Sequence, residues 1–248
     1  MRRKTLNSRL TAKGLALVCC FAPLCTLLSF WSLFPIIGAV GKSISAAAVV
    51  APLIGIVLGP WLGALAVTLG GLIGASVMHI GPFGLLSFLP WTAAAFASGL
   101  LHNRRWHILT IVYAVLLLAF TLYPMVGPAW LHPYLIWLQL IGLAVLVSPL
   151  QLKAVKSMRK QTSLQEIVLG VGVVSFVATL FGHVVGSLMF EMVYWPTLIA
   201  ELDSWKSLWQ FLTFVYPIER AIITAIATLL GVPLIKALRT FGFRIGGD

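Results

Sequence analysis

The sequence predicts an all-α polytopic membrane protein: a bundle of about eight transmembrane helices with both termini in the cytoplasm. The prediction rests on composition, a series of apolar runs and a one-sided distribution of basic residues. Of the 248 residues, 60% are hydrophobic and 9% are charged, and the mean hydropathy is +1.03. Because a soluble domain carries about 25% charged residues, this chain has too few polar side chains to cover a water-facing surface. The same figures exclude intrinsic disorder and a disulfide-stapled secreted scaffold.

Eight apolar runs are interpreted as membrane spans, since a spanning helix needs about 20 apolar residues. The runs cover residues 14–34, 44–58, 61–78, 84–101, 107–124, 133–150, 165–190 and 212–235. The second run is short and meets the third at Gly59-Pro60-Trp61, so this pair is either two spans or one re-entrant hairpin. In both cases the chain returns to the same side of the membrane.

The basic residues orient the bundle. On the eight-span count, all of the 17 Lys and Arg residues except Lys42, Lys206 and Arg220 fall on one side. Since cytoplasmic loops carry an excess of Lys and Arg, both termini are predicted to be cytoplasmic. The chain 1–248 is then a single transmembrane domain in the plasma membrane, with a basic N-terminal segment at 1–13 and a cytoplasmic tail at 236–248.

A cleaved signal peptide is the alternative interpretation of residues 1–30, which begin with basic residues and continue into an apolar stretch. That stretch is longer than the apolar core of a signal peptide, and no cleavage site of the A-x-A type follows it. We therefore interpret it as the first span. Its three cysteines, Cys19, Cys20 and Cys25, have no metal-ligand partners at a suitable spacing and are predicted to be packing residues.

The segment 191–211 is predicted to lie on the outer face. It mixes aromatic with charged residues, and Leu198, Leu202, Trp205 and Trp209 recur at helical spacing. This pattern is typical of an amphipathic helix in the membrane interface. Because Trp and Tyr prefer that depth, anchoring is the favoured role, and a lid over an outward-facing pocket is the alternative.

Small residues recur at four-residue spacing in several runs, which predicts close contact between helices in lipid. The rows are Gly55, Gly59 and Gly63; Gly70 and Gly74; Gly182 and Gly186; and Ala12, Ala16 and Cys20.

Motifs for catalysis are missing from the sequence. It contains no H-E-x-x-H, no G-x-S-x-G, no phosphate-binding G-x-x-x-x-G-K-[ST] and no paired-His metal spacing. We therefore predict a protein that is not an enzyme and that has no metal, no cofactor and no nucleic-acid partner. Energy for any transport would come from a partner or an ion gradient.

Five ionisable residues lie in or near the predicted spans, where such side chains are costly and therefore informative. They are His79, His183, Glu191, Glu219 and Arg220. Their structural role would be an interhelical ion pair or snorkelling to the membrane interface. Their functional role would be part of an outward-facing ligand site. Because adjacent helical residues point about 100° apart, Arg220 need not pair with Glu219 and is within reach of Glu191. A short proton relay through His183 and Glu191 is a further alternative.

Four stretches of sequence share the pattern of one transporter family. They are G-P-W-L-G-A at 59–64, G-G-L-I-G at 70–74, P-W-T-A-A-A at 90–95 and Y-P-I-E-R-A-I at 216–222. In these stretches the chain resembles the substrate-binding (S) components of energy-coupling factor (ECF) transporters, which import vitamins. S components usually have six spans, so the resemblance implies a six-helix core with an added hairpin within 102–160.

The resemblance implies a mechanism, partners and a site. An S component binds a vitamin-like small molecule from outside and topples in the membrane against a transmembrane coupling subunit that two ABC-type ATPases drive. Ala12 and Ala16 match the A-x-x-x-A row with which family members dock on that subunit. The candidate substrate-binding residues, chosen by position at the outer side, are Lys42, His79, Trp91, Glu191, Tyr194, Trp195, Glu219 and Arg220.

Two other classes of function stay open. A non-catalytic membrane scaffold or assembly protein would bind no small molecule tightly and would have no ATPase partner. An autonomous secondary transporter would favour an inverted repeat, and residues 14–101 and 107–190 show no convincing one.

Overall fold

The computed structural model describes residues 12–36, 43–78, 81–160 and 163–243, which are mainly helical. The elements in chain order are α1 (Ala12–Ser29), β1 (Ser32–Pro35), β2 (Ser43–Ser45), α2 (Ala47–Met78), α3 (Gly81–Leu86), α4 (Leu89–His102), α5 (Trp106–Thr121), α6 (Pro128–Leu131), a short 3-10 helix (Pro133–Ile136), α7 (Trp137–Val147), α8 (Pro149–Lys160), α9 (Leu164–Tyr194) and α10 (Leu202–Thr240).

Several of these helices are suited to a membrane. Within the described ranges, four are long and apolar enough to cross one: Ala47–Val77, Gly84–His102, Leu164–Tyr194 and Leu202–Thr240. A fifth candidate consists of Pro133–Val147 and Pro149–Arg159, which are bent by 62° relative to each other. Helices α1 and α5 are apolar but shorter. The architecture is that of an all-α membrane protein, and the count of eight spans stays a prediction.

The chain reverses direction inside α2. Gly59 has a φ of 79°, in the left-handed region that favours glycine. A Cβ on Gly63 would lie 2.8 Å from the Cα of Gly55, whereas residues eight apart in a straight helix are separated by about 12 Å. The Gly59-Pro60 break therefore makes α2 a helical hairpin. Its first arm, 47–58, is about 18 Å long, and the hydrocarbon core of a bilayer is about 30 Å thick.

The predicted glycine rows lie where helices touch. A Cβ on Gly70 would collide with the carbonyl of Ala22, so α1 packs directly on the second arm of α2. Thr26 Oγ1 strengthens this contact by donating to the Gly70 carbonyl at 2.9 Å. A Cβ on Gly55 would similarly collide with the carbonyl of Ala95 in α4. The prediction of close packing through small residues is confirmed at these positions.

The first helix ends earlier than predicted. The sequence predicts a span over 14–34, but α1 ends at Ser29 and the chain continues as β1, which pairs antiparallel with β2. Ser32 and Ser43 are joined by a hydrogen bond of 2.7 Å between their hydroxyls. Pro35 explains the difference in part, because a proline disfavours helical backbone at the residue before it. A short two-stranded antiparallel sheet of β1 and β2 therefore lies between α1 and α2 in the chain.

The structure has no separate helix over 191–211, so this part of the prediction is wrong. Helix α9 continues to Tyr194, and α10 begins at Leu202 and runs unbroken to Thr240. Trp205 and Trp209 are 0% exposed, and their indole nitrogens donate to the carbonyls of Ile199 at 2.9 Å and of Val126 at 2.7 Å. Since both N–H groups have partners inside the protein, the rings belong to the core and not to an interfacial anchor.

Two further boundaries differ from the prediction. The sixth run, 133–150, is interrupted at Ser148-Pro149. Helix α8 follows at an angle of 62° to the preceding helical segment and packs against α9. The last helix, α10, extends to Thr240 and so includes part of the predicted tail at 236–248. Arg239 joins this end of α10 to the end of α8 by hydrogen bonds. Its Nη2 donates to the carbonyl of Met158 at 3.1 Å, and its Nη1 donates to that of Arg159 at 3.4 Å. These carbonyls are among those that the end of a helix leaves without partners.

The core has two connected parts. One contains α1, α2 and the first half of α4, and the other is built around α9, with α5, α7 and α10 packed against it. Helix α4 lies between α2 and α9. A cavity opens where the N-terminal half of α4 meets α9 and α10, beneath the β1–β2 sheet.

Candidate ligand-binding cavity

The cavity encloses about 110 Å³ and opens to solvent at its mouth. The β1–β2 sheet contributes the rim, α4 one wall, and α9 and α10 the polar side. The lining residues are Pro35, Ile36, Ser43, Ile44, Ala48, Ser87, Pro90, Trp91, Ala94, Thr179, Gly182, His183, Gly186, Ser187, Met189, Phe190, Leu212, Tyr216, Glu219 and Arg220.

Glycines on α9 set the spacing of the two helices at the cavity. A Cβ on Gly182 would lie 2.5 Å from the carbonyl oxygen of Pro90 and 3.2 Å from the Cβ of Ala94. A Cβ on Gly186 would lie 3.1 Å from the Cγ of Pro90. The missing side chains let the first turns of α4 approach α9 closely, so the polar residues that alternate with these glycines line the cavity.

A buried ion pair lies in the polar side of the cavity. Nη2 of Arg220 lies 3.3 Å from Oε2 of Glu219, and the two residues are 9% and 6% exposed. The guanidinium carbon also lies 5.8 Å from the ring centre of Tyr216, which is within the range of a cation–π contact. The sequence left open whether these adjacent residues pair, and the structure shows that they do: the long side chains meet despite their divergent Cα–Cβ directions.

The Nε of Arg220 has no hydrogen-bond partner, although it is buried. The hydroxyl of Thr179, which also lines the cavity, is likewise buried without a partner. A buried polar group without a partner costs free energy, so both groups favour a ligand that supplies the missing acceptor or donor.

His183 is fixed by neighbours on two sides. Its ring packs edge-on against Tyr216 with 4.2 Å between ring centres. With the Gln139 amide oriented so that its nitrogen donates to the carbonyls of Leu135 and Ile136, Nε2 of His183 donates to the Gln139 oxygen at 3.1 Å. Gln139 is therefore a positioning residue for the imidazole, reaching it from α7.

The apolar side of the cavity is aromatic. Trp91 lies one residue after Pro90 at the start of α4, where it is almost entirely buried by the helix packing. Phe190 faces the cavity from α9, and Tyr194 stacks on the other side of its ring with 4.3 Å between centres. These rings offer flat apolar surface beside the polar groups.

The structure brings three of the eight predicted substrate-binding residues to the cavity: Trp91, Glu219 and Arg220. Tyr194 supports the wall through Phe190, and the half-buried Trp195 packs against the core near it. Neither of the two is a lining residue. Lys42 and His79 lie outside the described residues. The exposed Trp130 is not a lining residue, and its indole nitrogen donates to the carbonyl of Tyr123.

Glu191 does not reach the ion pair. It is 0% exposed, and neither carboxylate oxygen has a hydrogen-bond partner. The pairing of Glu191 with Arg220, which the sequence left open, is therefore not formed. Glu191 follows the lining residue Ser187 by one helical turn and lies behind the cavity.

Most of the polar side was missed from the sequence, although a signal was present. Buried polar residues recur every fourth position along α9 at Ser175, Thr179, His183, Ser187 and Glu191. In an apolar helix this spacing predicts one continuous polar face. Only its two ionisable members were singled out.

The predicted docking residues lie at the other end of the bundle. Ala12 and Ala16 are on the first two turns of α1, and both are exposed at the protein surface.

The fold and the cavity define a class: a helical membrane protein with a solvent-open cavity between its helices. The chain matches no protein-family model, no curated protein and no solved structure.

Proposed function

We propose that this protein binds a small organic molecule in the cavity and delivers it across the membrane. The observation that carries the proposal is a solvent-open cavity between the helices, with a buried ion pair on one side and aromatic rings on the other. Inside a membrane helix, charged residues are costly and usually face a partner or a cavity. A structural pair would saturate its own hydrogen bonds, whereas this pair leaves the Nε of Arg220 unused.

The particular form that we propose is the substrate-binding subunit of an ECF-type, ATP-driven importer of a vitamin-like molecule in the plasma membrane. The chain would cross the membrane eight times with both termini in the cytoplasm. The cavity supports this orientation, because it lies in the half of the bundle away from Arg104, Arg105 and the basic residues of α8. Ala12 and Ala16 would dock on the transmembrane coupling subunit, and their exposure supports that role.

Purification from the native membrane tests this proposal. The tagged protein is extracted in mild detergent, and the co-purifying chains are identified by mass spectrometry. We expect a transmembrane coupling protein and one or two ATPases in stoichiometric amounts. Replacing Ala16 with leucine should release them, and the matched change Ala119→Leu at an exposed position on α5 should not. Recovery of the chain alone, under conditions that retain a known complex of this kind, would contradict the ECF form.

A secondary transporter is the second candidate, and Glu191 favours it. A fully buried carboxyl group without a partner, at the end of the polar face of α9, is the kind of group that proton-coupled carriers use. Uptake into proteoliposomes of this chain alone, driven by a proton gradient and lost in Glu191→Gln, would support this candidate over the first.

A further inference from the structure

We infer that the cavity selects ligands with no net charge that present a hydrogen-bond donor and an acceptor side by side on an aromatic ring system. This inference rests on the proposed function, since it names the ligand class of the same site. The ion pair of Arg220 and Glu219, its unused hydrogen-bonding groups and the aromatic wall carry it.

The first step is the balance of charge. Of the described residues that line the cavity, Arg220 and Glu219 bring the full charges, one of each sign, and they are in contact. A ligand with a net charge would add a charge without a counter-charge in a region of low dielectric, where such a charge is costly. A ligand without net charge avoids that cost.

The second step is the supply of hydrogen bonds. Arg220 has five N–H donors, and its buried Nε is without a partner. The carboxylate of Glu219 can accept about four hydrogen bonds, and Arg220 occupies one of them. The pair therefore offers a donor and an acceptor next to each other. An amide or a heterocycle with adjacent C=O and N–H groups matches both at once, whereas a carboxylate or an ammonium matches only one.

The third step is the shape of the remaining surface. Trp91 and Phe190 bring flat apolar rings to the cavity, and His183 and Tyr216 pack edge to face beside the ion pair. Planar ligands gain from stacking on such rings. The hydroxyl of Thr179, which has no hydrogen-bond partner within the protein, adds one further hydrogen bond to a ligand.

The test uses three probes that differ in charge on one ring system: quinoline-3-carboxamide, quinoline-3-carboxylate and 3-(aminomethyl)quinoline. Dissociation constants are measured by calorimetry on the purified full-length protein in detergent. We expect the neutral amide to bind at least about 10-fold more tightly than either charged probe, because only the amide uses both members of the pair.

Two substitutions report the charge of the preferred ligand by the sign of their effects. For a neutral ligand, Glu219→Gln and Arg220→Gln should both weaken binding of the amide, by roughly 10- to 100-fold each, since each removes a hydrogen bond to a charged group. For an anionic ligand, Glu219→Gln would strengthen binding, because it frees the guanidinium. For a cationic ligand, Arg220→Gln would strengthen it. The exposed residues Glu201 and Arg105 provide the matched controls, Glu201→Gln and Arg105→Gln.

Thr179→Val keeps the test decisive if either charge variant fails to fold. The buried hydroxyl has no hydrogen-bond partner within the protein, so its loss should not lower the melting temperature, while it weakens amide binding about 2- to 10-fold. Preference for a charged probe, with the matching increase in affinity in one charge variant, would overturn the ligand class and leave the binding function intact. Failure of all three probes to bind at millimolar concentration would overturn the ligand class, and the proposed function would then depend on the co-purification experiment.

Discussion

Replacing Gly182 with alanine should force α4 and α9 apart at the cavity. The new Cβ would lie 2.5 Å from the carbonyl oxygen of Pro90 and 3.2 Å from the Cβ of Ala94. Both contacts are tighter than a methyl group tolerates, and the first is with backbone, which cannot rotate away. Overpacking of this kind costs about 1–3 kcal/mol in the free energy of unfolding. For a chain of this size that corresponds to a fall in melting temperature of roughly 2–12 °C.

Gly172 on the same helix provides the matched control. A Cβ there would meet nothing closer than Thr228 Oγ1 at 3.5 Å, which is ordinary van der Waals contact. Gly172→Ala should therefore be neutral or stabilising by up to about 1 kcal/mol, because alanine is the better helix former. Thermal unfolding of both variants in the same detergent, followed by tryptophan fluorescence, measures the difference. Equal melting temperatures would refute the reasoning that Gly182 sets the spacing of the helices.

The remaining predictions concern the two ends of the bundle. Trp209→Phe should lower the free energy of unfolding by about 1–3 kcal/mol, because a buried carbonyl loses its donor, whereas the matched change at the exposed Trp130 should cost less. Thermal unfolding compares the two variants, and an equal loss would contradict a core role for Trp209. Arg239→Gln should speed hydrogen–deuterium exchange in the last turn of α8, whose carbonyls it leaves without donors. Lys236→Gln should not, and unchanged exchange in the Arg239 variant would show that the contact does not stabilise α8.

The helical class and the main break in the chain could be predicted because they depend on local properties. Apolar runs select helices in a membrane whatever their neighbours are, and Gly59-Pro60 interrupts a helix through its own backbone. The small-residue rows were predictable for the same reason, since only a missing side chain allows such close contact. The class of fold therefore followed from sequence pattern alone.

The position of the tryptophans in α10 could not be predicted, because it depends on distant residues. The pattern around Trp205 and Trp209 is the same for an interfacial helix and for a buried one. The choice is made by the carbonyl of Ile199, in the segment before α10, and by that of Val126, 83 residues before Trp209, which accept from the indole nitrogens. The early end of α1 is a similar case. The strand β1 that follows it requires β2 as its partner, and the sequence of α1 does not indicate that partner.

The candidate site was predicted in part for a comparable reason. Trp91, Glu219 and Arg220 were chosen because polar or aromatic residues near the outer ends of spans are informative. Gln139 was overlooked because its role depends on α7 lying beside His183, which no local pattern indicates. Glu191 was over-interpreted, since depth along a helix does not say which way a side chain faces.

The ion pair also bears on how this protein is made. An arginine at the centre of a membrane helix opposes insertion by about 2.5–3.5 kcal/mol on the scale measured with the translocon. Glu219 and Arg220 are neighbours in sequence and in contact, so the counter-charge emerges from the ribosome together with the charge. The central stretch 207–235 of α10, in which these two are the Asp, Glu, Lys and Arg residues present, can therefore enter the bilayer as a neutral segment before the helices that later surround the pair have assembled around it. A pair split between two helices would have left one of them to insert with an uncompensated charge.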